Sequence, residues 1–136
     1  MKAFKTFSLL FSLGLFLLST PACSPKFDPT GLNNATNIGT KLSDLMSKAT
    51  GAYSSNATAV ATLLTDLDKA YEHAKSVKGN KTIAESWRIL KVDLVSPFFE
   101  KWKAQGKLDK DFIKEAVTQV NQSMTAITKA EKAKRK

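Results

Sequence analysis

Apolar residues recur every three or four positions through most of this chain, and that spacing constrains its fold more than any other feature. The clearest run lies between residues 60 and 77, and its apolar members are Val60, Leu63, Leu64, Leu67, Tyr71, Ala74 and Val77. Residues three and four apart share one face of an α-helix, so this run predicts an amphipathic helix. Ser54 or Ser55 can cap its start, and Gly79-Asn80 can end it.

Two further segments show the same spacing in full. One is expected to begin near Thr36, and its stripe is Ile38, Leu42, Leu45 and Ala49. Another follows Asp109, which can cap a helix, and its stripe is Phe112, Ala116, Val117, Val120, Met124 and Ile127. No stretch alternates with period two for long enough to predict a strand. The sequence therefore predicts an all-α fold, a small antiparallel bundle of about four helices.

The remaining helical segment contains a proline. It is expected to begin near Lys81, and its stripe is Ile83, Trp87, Leu90 and Leu94. Pro97 follows, and a proline inside a helix removes one hydrogen bond and clashes with the preceding turn. We expect the helix either to kink at Pro97 or to stop there and restart with Ser96 as its N-cap.

Residues 1–22 differ from the rest of the chain in composition. Lys2 and Lys5 precede an apolar run over residues 7–18, and the small residues of 19–22 follow it. The run is too short to span a bilayer, which takes about 20 apolar residues, and it is typical of a secretory signal peptide. Cleavage after Ala22 would make Cys23 the first residue of the mature chain.

Because Cys23 directly follows this leader, the N-terminal segment resembles that of bacterial lipoproteins. In that class the cysteine receives a diacylglyceryl group and the new N-terminus is acylated, so the resemblance implies an anchor of palmitate-type acyl chains at Cys23. Ala22 fits the lipobox, whereas Thr20 and Pro21 depart from it, which makes it a relaxed lipobox. Ser24 in place of an aspartate implies the outer membrane, on its periplasmic side. Several acyl chains hold a protein durably, whereas one gives only marginal binding.

The alternative for the same segment is ordinary secretion. Residues 20–22 also suit the general signal peptidase, and Cys23 would then be a free thiol or half of an intermolecular disulfide. Since Cys23 is the only cysteine, the fold must be held by packing without an internal disulfide. Removal of Lys2 and Lys5 with the leader would lower the formal charge from +9 to +7.

A helix is not expected directly after the cysteine. Residues 24–35 contain Pro25, Pro29 and Gly31 together with two adjacent asparagines, a composition that favours an irregular chain. We therefore expect a signal peptide at 1–22, a flexible tether at 23–35, a helical bundle at 36–130 and a basic tail at 131–136.

Residue patterns for catalysis or metal binding are missing from the sequence. His73 is the only histidine. Asp66, Asp68 and Glu72 lie near it, but their spacing does not match a calcium loop, which needs a glycine and a distal glutamate. No glycine-rich phosphate loop and no Ser-His-Asp set can be assembled. We therefore expect no enzymatic activity, no metal, no cofactor and no nucleic-acid partner.

Aromatic residues concentrate around the proline, at Phe98, Phe99 and Trp102. At about 100° per residue, Phe99 and Trp102 are rotated away from the stripe that begins at Ile83, so the apolar arc is wider than one helix–helix contact requires. The reading we favour is that this helix packs on two neighbours and that the aromatics belong to the core. The alternative is an exposed patch that binds a partner.

The C-terminal residues are strongly basic. Glu131 is the one acidic residue among Lys129, Lys132, Lys134, Arg135 and Lys136. In an exported protein such a tail can contact an anionic surface, namely lipid headgroups, lipopolysaccharide phosphates or the cell wall. A solvated, frayed helix end is an equal alternative.

These features predict a non-enzymatic, lipid-anchored protein of the bacterial cell envelope. Its membrane contact is the lipidated Cys23, and its helical domain is expected to bind an envelope protein or an anionic envelope surface. The alternative function is a structural tether between membrane and cell wall that uses the basic tail.

Overall fold

The computed structural model describes residues 26–135, and within this range the chain is helical without strands. Its α-helices are α1 (Pro29–Ser47), α2 (Ala57–Ser76), α3 (Lys81–Ile89), α4 (Ser96–Gln105) and α5 (Lys110–Ala133). Two 3-10 turns, Lys48–Thr50 and Tyr53–Ser55, connect α1 to α2, and a π-helical segment, Leu90–Val95, joins α3 to α4. Since α3, the π segment and α4 form one continuous helical unit, the predicted all-α bundle of four helices is confirmed.

Neighbouring helices run antiparallel. In the middle of α1, a Cβ added to Gly39 would lie 3.5 Å from the Cβ of Met124 in α5. Lys41 of α1 lies 2.9 Å from Asp66 in α2, joining Nζ to Oδ2. Asp28 contacts His73 near the end of α2, and Gly31 lies against Glu131 near the end of α5. The start of α1 therefore meets the ends of both helices, which places both ends of the described chain at the same end of the bundle.

The core is formed by the stripes that the periodicity identified. All four helical units contribute to one cluster, and its largest fully buried side chains include Leu42, Leu67, Trp87, Trp102 and Ile127. Each helix alone would be marginal in water, so the burial of these stripes against one another supplies most of the stability.

The start of α1 differs from its prediction. The helix begins at Pro29 and not near Thr36, so residues 29–35 belong to the bundle and not to a flexible tether. Asp28 caps the helix by accepting a hydrogen bond from the Thr30 N–H at 3.0 Å. Pro29 occupies the first helical turn, where its missing N–H has no cost. The prolines and glycine of this stretch were therefore wrongly interpreted as irregular chain.

The interruption at Pro97 takes the form of a wider helical turn. The Ser96 N–H donates to the carbonyl of Lys91, five residues earlier, and both Val95 and Ser96 keep right-handed helical dihedral angles. A π-type turn of this kind accommodates one extra residue, so the helix continues through Pro97.

Two other helix ends differ from their predictions. Neither Ser54 nor Ser55 caps α2, because both lie in the preceding 3-10 turn and α2 begins at Ala57. In α5 the predicted cap is confirmed, since Asp109 accepts hydrogen bonds from the N–H groups of Asp111 and Phe112. That helix continues to Ala133, however, so the predicted domain boundary at residue 130 is wrong.

Candidate functional site

The aromatic residues that were candidates for partner binding lie in the core. Phe98 and Phe99 are 2% exposed and Trp102 is fully buried. Trp102 donates its indole N–H to the Gly51 carbonyl at 3.0 Å, and Tyr53 packs edge-on against its ring at 5.5 Å. The exposed-patch alternative is therefore wrong, because the helix packs on more than one neighbour and buries both sides of its apolar arc. Val92 is the one large apolar side chain of residues 26–135 that is strongly exposed.

The predicted basic tail is mostly part of the fold. Lys129 and Lys132 are exposed on α5, but the Lys134 side chain is only 3% exposed. Arg135 places its guanidinium 4.6 Å from the centre of the Phe27 ring, a cation–π contact. The prediction of a basic tail from residue 131 onward is therefore wrong for residues 131–135, which belong to the folded domain. Lys136 and the lipidation candidate Cys23 lie outside the described residues.

An imidazole–carboxylate pair joins the start of α1 to the end of α2. His73 Nε2 lies 2.5 Å from Asp28 Oδ2, and both side chains are largely shielded from solvent. His73 lies in the last turn of α2, where the helix dipole favours a cation. Burial raises the pKa of Asp28, but the hydrogen bond from His73 and the backbone N–H groups of Gly31 and Thr30 outweigh it. The pKa of Asp28 therefore lies below its ordinary value of 3.8.

A buried ion pair at the C-terminal end of α5 lies against the same start of α1. Lys134 Nζ lies 2.8 Å from Glu131 Oε2, with the two side chains 3% and 1% exposed. Neither the Glu131 carboxylate oxygens nor Lys134 Nζ has a hydrogen-bond partner among residues 26–135, so the attraction is ionic. The Glu131 carboxylate lies against Gly31, where an added Cβ would come within 2.8 Å of Oε1. A glycine at position 31 leaves room for this carboxylate. The positive end of the α1 dipole also stabilises the negative charge of Glu131.

We call this part of the molecule, residues 26–31, 72–82 and 129–135, the terminal end. Both ends of the described chain and the α2–α3 turn meet there. Its charged side chains make three tertiary contacts, namely Asp28 with His73, Glu131 with Gly31, and Arg135 with the Phe27 ring. Lys134 pairs with Glu131 within the end of α5.

The opposite end, residues 47–57 and 103–111, is called the distal end. Backbone hydrogen bonds tie its two loops together, from the Tyr53 N–H to the Gly106 carbonyl at 2.9 Å and from the Leu108 N–H to the Ala49 carbonyl at 2.8 Å. Gly106 has a φ of +76°, which suits a glycine at the end of α4. Hydrogen bonds between uncharged groups therefore close this end around the Trp102 ring.

A shallow open groove runs between α1 and α5. Thr36, Thr40, Asn121, Thr125 and Lys132 are among the side chains that line it. Hydroxyl, amide and ammonium groups of this kind can hydrogen-bond to polar ligands, but the groove has no deep part that would exclude water.

Within residues 26–135, no group of three or more His, Cys, Asp or Glu side chains is arranged to hold a metal ion. The same range contains no helix both long and apolar enough to cross a bilayer.

Sequence reasoning missed the two charged pairs of the terminal end. The Asp28-Pro29-Thr30 sequence is a helix-start signal that could have placed α1 correctly. No comparable signal pairs Asp28 with His73, since the two are 45 positions apart in the chain. The burial of Glu131 had a signal that was not used, because Glu131 lies four residues after Ile127 and so continues the buried stripe of α5.

Comparisons of the chain with protein-family models, with curated proteins and with solved structures found no match.

Proposed function

We propose that this chain is a non-enzymatic, lipid-anchored protein of the bacterial cell envelope whose helical domain binds another envelope component. Cys23 carries the acyl chains, with palmitate-type fatty acids, and the domain lies on the periplasmic side of the outer membrane. The signal peptide and the solitary cysteine support export and lipidation.

One structural observation carries most of the support. The fold begins at the Asp28 cap, so only residues 24–28 separate Cys23 from α1. Five residues span at most about 18 Å even when fully extended. A cysteine so close to the first helix suits an anchor that keeps the domain near a membrane surface.

Lipidation is tested by labelling cells with a fatty-acid analogue and comparing the wild-type chain with Cys23→Ser. We expect label on the wild-type protein, release of that protein from membranes only by detergent, and no label on the variant. Equal labelling of both proteins, or wild-type protein free in the extracellular medium, would refute the anchor.

Binding to an envelope component is tested by gentle detergent extraction followed by affinity purification of the wild-type protein. A stoichiometric envelope component should co-purify with it. Loss of that component from a folded variant would locate the binding surface, whereas recovery of the protein alone at every detergent concentration would contradict the proposal.

A further inference from the structure

The topology collects positive charge at the terminal end. Residues 26–31, 72–82 and 129–135 contain eight Lys or Arg residues and three Asp or Glu residues. The distal end, residues 47–57 and 103–111, contains four and two. The three segments of the terminal end are far apart in sequence, so this charge becomes one surface only in the folded bundle.

The carboxylates of the terminal end are already engaged within the fold. Asp28 pairs with His73, Glu131 with Lys134, and Glu72 with Lys75 at 3.1 Å. Because Glu131 and Lys134 are buried, neither adds to the surface charge. The remaining cations of this end are therefore not neutralised by its own acids.

Six exposed cations remain on this end without an ion-pair partner among residues 26–135. They are Lys26, Lys78, Lys81, Lys129, Lys132 and Arg135. They come from the chain start, the α2–α3 turn and the end of α5, so they lie at the end of the bundle from which the chain leaves the domain toward Cys23.

The distance between these cations and Cys23 determines whether they can reach a bilayer surface. The chain between Cys23 and Asp28 spans at most about 18 Å. A domain held by an anchor at Cys23 therefore keeps its terminal end nearest the bilayer, within one or two Debye lengths of about 8–10 Å. Lysine and arginine side chains at that distance are attracted to anionic headgroups.

We infer that the terminal end is a membrane-docking face, which binds the phosphates of an anionic phospholipid surface through Lys26, Lys78, Lys81, Lys129, Lys132 and Arg135. This inference rests on the proposed anchoring at Cys23. Docking fixes the orientation of the bundle, with its helices pointing away from the membrane and the distal end exposed to its surroundings.

The test measures the distance of each end from a bilayer. The full chain is reconstituted in vesicles of phosphatidylcholine alone or with about 30% phosphatidylglycerol, together with a lipid that carries a nitroxide quencher on its headgroup. A fluorophore is attached at Thr82→Cys on the terminal end or at Ala104→Cys on the distal end, both exposed positions. The chain without an added cysteine is labelled as a control, because it takes up fluorophore only if the Cys23 thiol is free. If it does, the two cysteine substitutions are made in the Cys23→Ser variant.

We expect quenching at position 82 to be about twofold stronger in anionic than in neutral vesicles. That difference should disappear near 0.5 M salt, where the Debye length falls to about 3–5 Å. Position 104 should show no difference. Replacing sodium chloride by inorganic phosphate at equal ionic strength should change nothing further; a larger loss would mean that the face binds free anions, and would overturn the inference.

Matched charge reversals separate the two ends. Lys78→Glu with Lys81→Glu and Lys132→Glu should abolish the lipid-charge dependence, whereas Lys103→Glu with Lys107→Glu and Lys110→Glu should preserve it. Equal quenching at position 82 in both vesicle types would contradict docking, as would equal effects of the two triple variants. If a triple variant fails to fold, the salt and lipid comparisons on the chain without charge reversals still test the inference.

Failure of the anchor is visible separately. The intact mass of the same sample shows whether Cys23 carries acyl chains, and an unacylated chain is added to the vesicles from solution for the same quenching measurement. Dependence on lipid charge without acylation would support the docking face and refute the anchor, and acylation without that dependence would do the opposite.

Discussion

The two ends of this small bundle are closed by different physical interactions. At the distal end, neutral hydrogen bonds between loops surround a buried indole, and Trp102 Nε1 donates to Gly51. Charged side chains close the terminal end, where Asp28 pairs with His73 and Glu131 pairs with Lys134. The loop-to-loop hydrogen bonds and the indole of the distal end contain no titratable group, whereas the contacts of the terminal end depend on protonation and on the exclusion of water.

The two ends therefore differ in their sensitivity to protonation and salt. Packing around Trp102 fixes the distal end in one state, while the start of α1 is held by groups that titrate. Since the terminal end also carries the chain toward Cys23, the part of the domain nearest the proposed anchor is the part whose contacts respond to the charge around it.

The largest effect is expected at the distal end, from Trp102→Ala. Removing a fully buried tryptophan leaves a cavity and an unpaired Gly51 carbonyl, so the free energy of unfolding should fall by about 3–5 kcal/mol. Urea unfolding followed by circular dichroism measures the change. Trp102→Phe, which keeps most of the ring volume, should cost less than half as much. A loss below about 1 kcal/mol for the alanine variant would show that this end is not closed around the indole.

The terminal end is broken most severely by Lys134→Met. This change leaves the Glu131 carboxylate buried without its cation and should cost about 3 kcal/mol, at the lower end for a broken buried pair because the last turn of α5 can open. Lys132→Met, on the same helix but exposed, should change stability by no more than about 0.5 kcal/mol. The double variant Glu131→Leu with Lys134→Met should recover most of the loss. Similar urea midpoints for the two lysine variants would argue against a buried pair.

A pair of glycines in α1 gives a prediction of opposite signs. Gly31→Ala forces a Cβ against the Glu131 carboxylate and should destabilise the protein by about 1–3 kcal/mol. Gly39→Ala meets Met124 at an ordinary contact distance and should stabilise it by about 0.5–1 kcal/mol through helix propensity. Thermal unfolding of both variants, and of Gly31→Ala in a Glu131→Ala background, provides the measurement. Stabilisation by both single changes would mean that Glu131 does not approach α1.

A smaller, pH-dependent effect is expected from Asp28→Asn. Asparagine keeps the helix cap but removes the charge that faces His73, so the variant should lose about 1 kcal/mol at about pH 6. The fold holds the pKa of Asp28 below 3.8, so its contribution is present above that value and is lost as the pH falls through the folded pKa. The difference in unfolding free energy between wild type and variant should therefore shrink as the pH falls below 3.8 and through the folded pKa of Asp28. A difference that is independent of pH would contradict this role of Asp28.

Much of the fold could be predicted because local periodicity determines it. The stripes of α2 and α5 lie on faces that the bundle buries, and the Asp109 cap is readable from three consecutive residues. The core position of Phe98, Phe99 and Trp102 was the favoured alternative, since an apolar arc too wide for one contact implies two neighbours.

The terminal end could not be predicted because its contacts join residues far apart in the chain. The sequence places Glu131 in a basic tail, and only the fold brings its carboxylate against α1. Gly31 was interpreted as a helix breaker, although its missing side chain is what lets the Glu131 carboxylate lie on the helix. The π segment before Pro97 was anticipated only as an interruption, because the form of the interruption depends on how the surrounding helices pack.

Amide hydrogen exchange at both ends of one sample tests the central contrast most directly. The reporters are the Leu32 N–H in the first turn of α1, bonded to the Asp28 carbonyl, and the Leu108 N–H of the distal end, bonded to Ala49. Between about pH 6 and about pH 2.5, after correction for intrinsic rates, we expect Leu32 to lose protection while Leu108 keeps it. A parallel loss at both amides, or unchanged protection at Leu32, would contradict the account that charge closes one end of the bundle and neutral packing the other.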